Sequence, residues 1–283
     1  MVWYNTLYRT YRNNSDEIKN NAIAYGNSSY ILIDTENSDY INKFYVNGYD
    51  IYGEKAIQRN EYAYGFRNEI DMYKYTNLHN LAYVPRMISH CDSKVTITIE
   101  YLKDYITIRK YFELRKKLSE SDDGFSSRNN YDAFFKALMK LLNTMEKDNF
   151  VHNNLTLDNI MIHPDTMELK VVNLKDSYIF KPSYHRDHTI FNFAKNDLLY
   201  TLYKVIYPQE KNAFMKYFKY RNPDYYTKNS NAKVGDFYRL GMLQLFDEQF
   251  QSAVFIEDEE VKTFVKNIIF FNLYVNLVSK ENV

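Results

Sequence analysis

Cysteine is almost missing from this chain. The single Cys91 excludes an internal disulfide and a zinc site built on cysteines, and it suits a reducing compartment. Charge of one sign is missing as well: 36 Lys and Arg balance 36 Asp and Glu, and the isoelectric point is about 7.0. No bulk field therefore draws the protein to nucleic acid or to a membrane surface. No apolar run approaches the roughly 18 residues that a membrane helix needs; the longest, around Ile268 to Phe271, is far shorter. The first residues carry no basic region followed by an apolar run, so a secretory signal is not expected and an intracellular location, cytoplasmic or nuclear, is. Glycine is scarce, with seven residues against 29 tyrosines. With abundant Asn, Lys and Ile, this points to an AT-biased coding sequence of the kind found in viruses and parasites.

What is present is the composition of a folded protein, 45% hydrophobic and 25% charged. At 283 residues it fits one large domain or two lobes. Residues 1–20 are polar and mixed, an N-terminal extension. Tyr30-Ile-Leu-Ile33, a Thr35–Asp39 turn cluster and the apolar-aromatic run 40–46 read as a hairpin. Residues 58–78 read as a helix, with Glu69, Ile70, Tyr73, Tyr75 and Thr76 on one face. Strands are expected over 83–88 and 94–101; in the second, Val95 to Ile99 alternates strictly. Beyond Leu102 the pattern turns helical, which places a boundary at 103/104 between a small lobe (21–103) and a helical large lobe (104–283). Residues 117–130 are polar and read as a loop. In 131–147, Phe134, Leu138, Leu141, Leu142 and Met145 recur at helical spacing. A short strand pattern covers 168–176, and a further helix starts near Asp197.

Between that long helix and that strand lies Phe150-Val-His-Asn-Asn-Leu-Thr-Leu-Asp-Asn-Ile-Met-Ile162. With the strand it resembles the catalytic loop and metal-binding strand of protein kinases, H-R-D-L-x-x-x-N and D-F-G. The flavour is nearest to casein-kinase-like and vaccinia-related kinases. The resemblance implies an α+β, two-lobed protein-kinase-like fold, with a small antiparallel-sheet lobe and a reduced helical large lobe. His152, Leu155 and Asn159 match the pattern; Asn154 and Asn173 stand where it has the base and metal aspartates, and Thr156 where it has a lysine. By the same resemblance, Lys43 takes the place of the phosphate-holding lysine, Glu69 that of its ion-pair partner, and Asp197 that of a structural aspartate. Gly26 is the one glycine of Tyr25-Gly-Asn-Ser-Ser-Tyr30, where kinases place two or three against the phosphates. A literal His185-Arg-Asp string follows later, but it neither leaves a long helix nor enters a hairpin, and it reads as part of a shortened activation segment. His185, Asp187 and His188 within it lack a fourth metal ligand in reach by sequence.

An asparagine amide is no proton acceptor at pH 7, and magnesium prefers the charge of a carboxylate. These substitutions imply a pseudokinase: a catalytically inactive kinase-like protein that binds another protein, a kinase or a kinase substrate, as regulator or decoy. No resident metal is expected, and ATP would bind weakly, without metal, through Gly26, Lys43, Glu69 and Asn159. Asp158 and Asp176 are the carboxylates that a shifted loop would recruit to a metal. Two alternatives stay open. One is an active, unorthodox phosphotransferase acting on Ser/Thr or on a small molecule. The other is a nucleic-acid-binding protein using 214–226, where aromatics alternate with Lys216, Lys219 and Arg221.

Overall fold

The computed structural model of the chain describes residues 21–25, 29–45, 59–92, 94–119, 131–180, 195, 198–199, 201–203, 205–206 and 259–280. The 1–20 extension, Gly26, the His185, Asp187 and His188 string, Asp197 and the aromatic-basic stretch 214–226 lie outside these residues. By packing the chain divides into two units, Met1–Tyr105 with Lys170–Tyr178, and Ile106–Leu169 with Ile179–Val283. Helices and antiparallel sheets are the regular elements of the described residues, an α+β architecture.

In the first unit, β1 (Ala24–Tyr25), β2 (Ser29–Ile33), β3 (Tyr40–Tyr45), β4 (Met87–Cys91) and β5 (Thr96–Glu100) form one antiparallel sheet. Its spatial order is β1-β2-β3-β5-β4. The hairpin read from sequence is β2–β3. Tyr30 pairs with Phe44 across it, and their rings stack with centroids 5.0 Å apart. Alternation along β3 buries Ile41, Lys43 and Tyr45 on the other face. In the turn, the Asp34 carboxylate accepts the backbone N–H groups of Glu36 (2.8 Å) and Asn37 (2.9 Å) and the Asn42 amide (2.7 Å).

These bonds hold the Asp34 carboxyl below its ordinary value, the Asn37 backbone N–H foremost, then the Asn42 side chain and the Glu36 N–H. A carboxyl depressed on folding supports the turn above the unfolded value and loses that support as pH falls through the folded one. An NMR titration is therefore expected to place the Asp34 midpoint below the free-aspartate 3.8, and the Glu36 and Asn37 amide shifts to follow it. A midpoint at or above the free value would contradict the turn.

Helix α1 (Arg59–Leu78) connects β3 to the second half of the sheet and buries Phe66, Glu69, Ile70, Tyr73 and Thr76, one stripe at three- and four-residue spacing. β4 begins four residues later than the expected 83–88 strand. Pro85 has no N–H to give a ladder, so Tyr83 and Val84 are buried in a turn instead, with the Val84 N–H on the Leu81 carbonyl at 3.1 Å.

The second unit holds β6 (Ile106–Thr107), α2 (Ile108–Ser119), α3 (Asp132–Lys147), β7 (Phe150–Val151), β8 (Ile160–Ile162) and α4 (Glu259–Lys280). α2 extends through 117–119, which the sequence reading placed in a loop; Ile108, Tyr111 and Phe112 bury one side of it and carry the helix past its polar end. α3 is the expected helix. Phe134, Leu138, Leu141, Leu142 and Met145 are all buried, joined by Phe135 and Met139. The Phe135 ring meets Phe271 and Tyr274 of α4 edge-on at 5.4 and 5.7 Å. Leu198, Leu199, Leu202 and Tyr203 are helical and buried.

Between β8 and α4 the described order continues through β9 (Leu169–Val171), a 3-10 turn (Leu174–Asp176) and β10 (Tyr178–Ile179). The strand pattern expected over 168–176 is thus cut short. Asn173 adopts a left-handed backbone, φ 67° and ψ 62°, which ends the strand and starts the turn. Scarce glycine has a local answer: six described non-glycine residues have positive φ, and four of them, Asn80, Asn149, Asn153 and Asn173, are asparagines. Asparagine tolerates that region best among side chains with a Cβ. Among the described residues, no helix is long and apolar enough to cross a membrane.

Candidate functional site

Lys43 and Glu69 come from opposite kinds of periodicity. Lys43 is an inward residue of a two-residue alternation and Glu69 sits mid-stripe on a helix. Both are buried, 5% and 0% exposed, and the Lys43 Nζ lies 3.0 Å from Glu69 Oε1 and 2.7 Å from Oε2. The carboxylate is saturated: the Leu174 backbone N–H donates to Oε1 at 3.0 Å and the Tyr45 hydroxyl donates to Oε2. Tyr45 also offers its ring to the ammonium, 5.0 Å from the centroid. Burial, aided by the nearby Glu69 charge, pushes the Tyr73 phenol well up, so it stays neutral one helical turn further on.

The ammonium has a third partner. Asn173 Oδ1 accepts from Lys43 Nζ at 3.1 Å, so the amide expected, by the kinase resemblance, in place of a metal aspartate spends its oxygen on a cation of the chain. The following turn is bound to α1 by a neighbour of Glu69. The Asn68 Nδ2 donates to the carbonyls of Lys175 at 2.7 Å and Ser177 at 2.9 Å. Asp176, three residues past Asn173, is exposed. For magnesium, whose ligands are oxygens and above all carboxylates, this is a poor donor set. One amide oxygen already faces an ammonium.

The catalytic-like loop belongs to the second unit. Buried Leu155 and Leu157 anchor it, and His152 is buried beside β7 in the chain. Short turns shape the rest: Thr156 N–H to the Asn154 carbonyl (3.0 Å), Asn159 N–H to the Thr156 carbonyl (3.1 Å), and Asn159 Nδ2 to the Asn154 carbonyl (2.9 Å). The half-buried Asn154 side chain makes no hydrogen bond with another described residue, and Thr156 is exposed. Asp158 forms a two-pronged pair with Arg109 of α2, 2.8 Å on each prong, with both side chains about half exposed. That bond ties the loop to α2 and raises the Arg109 guanidinium above its ordinary value.

Lys43, Glu69 and Asn173 are therefore one cluster, whereas Asn154, Thr156, Asp158 and Asn159 are another, in the other unit. Gly26 and Asp197 lie outside the described residues. Three participants escaped sequence reasoning: Tyr45, Asn68 and Arg109. Tyr45 carried a usable signal, being two residues from Lys43 on the same strand face. Asn68 and Arg109 act on partners 107 and 49 residues away, which no local pattern reports.

A family model described as poxvirus serine/threonine protein kinase matches residues 98–239. The match begins in β5 and includes the 150–162 loop and Asn173, but not Lys43 or Glu69. A comparison with curated proteins finds no match.

Proposed function

Since the chain belongs to the poxvirus serine/threonine protein kinase family, and has its α+β kinase-like fold, we propose that it is a pseudokinase that works by binding another protein. One observation carries the reading: both positions that need negative charge toward a metal-bound triphosphate hold neutral amides, and one of those amides is bonded to Lys43. Asn154 orients a hydroxyl but does not take its proton. Loss of a positioned base alone lowers rates by about 10²–10⁴. Asp158, spoken for by Arg109, and the exposed Asp176 are weak replacements. The partner is a kinase or a kinase substrate, and any ATP binds weakly and without metal. The tyrosine- and asparagine-rich composition agrees with a viral source.

A second reading, an unorthodox phosphotransferase, draws on the Lys43–Glu69 pair at 2.7 Å, which is the arrangement that phosphate positioning requires. Thermal denaturation separates the two. A ligand that binds only the folded state raises stability, so magnesium is expected to add nothing to whatever shift ATP alone produces. A magnesium-dependent rise, together with γ-phosphate transfer near the ~1–100 s⁻¹ of kinases, would establish the phosphotransferase instead.

A further inference from the structure

The Lys43 cluster is electroneutral as it stands, one ammonium against one carboxylate with an uncharged amide as the third member. We propose that Asn173 and Asn68 are positioning residues that seat 173–177 on α1 without nucleotide or metal; this deepens the pseudokinase reading and rests on it. Four side-chain contacts make the seat: Asn173 Oδ1 on Lys43 Nζ, the Leu174 N–H on Glu69 Oε1, and Asn68 Nδ2 on the carbonyls of Lys175 and Ser177. Every one is internal to the first unit. An aspartate at 173, itself a half-buried position, would set two carboxylates on one ammonium, leaving a net negative charge against the buried Lys43 and Glu69, 5% and 0% exposed. Buried uncompensated charge is costly, and a divalent cation is what relieves it. Asparagine removes that demand. The backbone at 173, φ 67° and ψ 62°, suits Asn and Asp alike, so an exchange between them changes charge and leaves shape alone.

Amide hydrogen exchange on the full chain tests this in wild type, Asn173→Asp and Asn68→Ala, each alone, with magnesium, and with ATP plus magnesium. In wild type the Leu174 amide should exchange slowly without additives and no more slowly with them. In Asn173→Asp it should quicken by about tenfold or more, each decade being about 1.4 kcal/mol, and magnesium should slow it again. Asn68→Ala should quicken exchange at Ser177, whose N–H bonds the Leu174 carbonyl at 2.9 Å, with no rescue by magnesium. The proposal is overturned by a wild-type Leu174 amide that exchanges fast until nucleotide or metal is added. It is equally overturned by an Asn173→Asp protein indifferent to magnesium. Should that variant fail to fold, the wild-type comparison still decides. Transfer of γ-phosphate by a wild type whose Leu174 is slow in every condition would sink the pseudokinase reading while leaving the ligand-free seat intact; a ligand-dependent Leu174 without transfer would do the reverse.

Discussion

Glu69→Ala is expected to lower stability by about 3–5 kcal/mol, the scale for removing one partner of a buried ion pair. The size follows from what the carboxylate holds. It accepts from Lys43, from the Tyr45 hydroxyl and from the Leu174 N–H, and it is fully buried. Its loss leaves a nearly buried ammonium with the Asn173 oxygen as its remaining bonded partner among the described residues, and frees a donor on β3 and another on the 3-10 turn. Lys43→Met should cost less, because the carboxylate keeps the Tyr45 and Leu174 donors. Urea denaturation of the two variants checks both the magnitude and the order. A Glu69→Ala protein within about 1 kcal/mol of wild type, the value of an exposed pair, would show that the cluster is open to solvent.

Phe134→Ala is expected to cost a similar amount, about 3–5 kcal/mol, by another mechanism and in the other unit. Phe134 is 0% exposed, and the rings of Tyr111, Phe112 and Phe135 lie 5.8, 5.1 and 5.2 Å from its own. Truncation leaves a cavity walled by rigid aromatics, which cannot collapse as flexible aliphatics do. Hydrogen exchange should locate the damage: faster amides in α2 and α3 for Phe134→Ala, in α1 for Glu69→Ala. If α3 protection survives the phenylalanine deletion, the aromatic cluster is not what holds that helix.

The sequence by itself determined the local periodic elements. The β2–β3 hairpin, α1, β5 and α3 follow from two-residue and 3.6-residue patterns, which need no knowledge of the partner surface. The loop at 150–162 was legible by its resemblance to the kinase motif, with Asn154 where that pattern has its base, because residue type and spacing carry that meaning along the chain. Tertiary structure decided the rest. Pro85 shifted β4, and Asn173 turned the chain left-handed and cut β9 short. Asn68 bonds carbonyls 107 and 109 residues away, and Lys43 acquired a third partner 130 residues on. The physical reason is common to these contacts. A lysine reads as solvated and an asparagine as a turn former until folding removes water from both, and only then do their charges and lone pairs require particular partners.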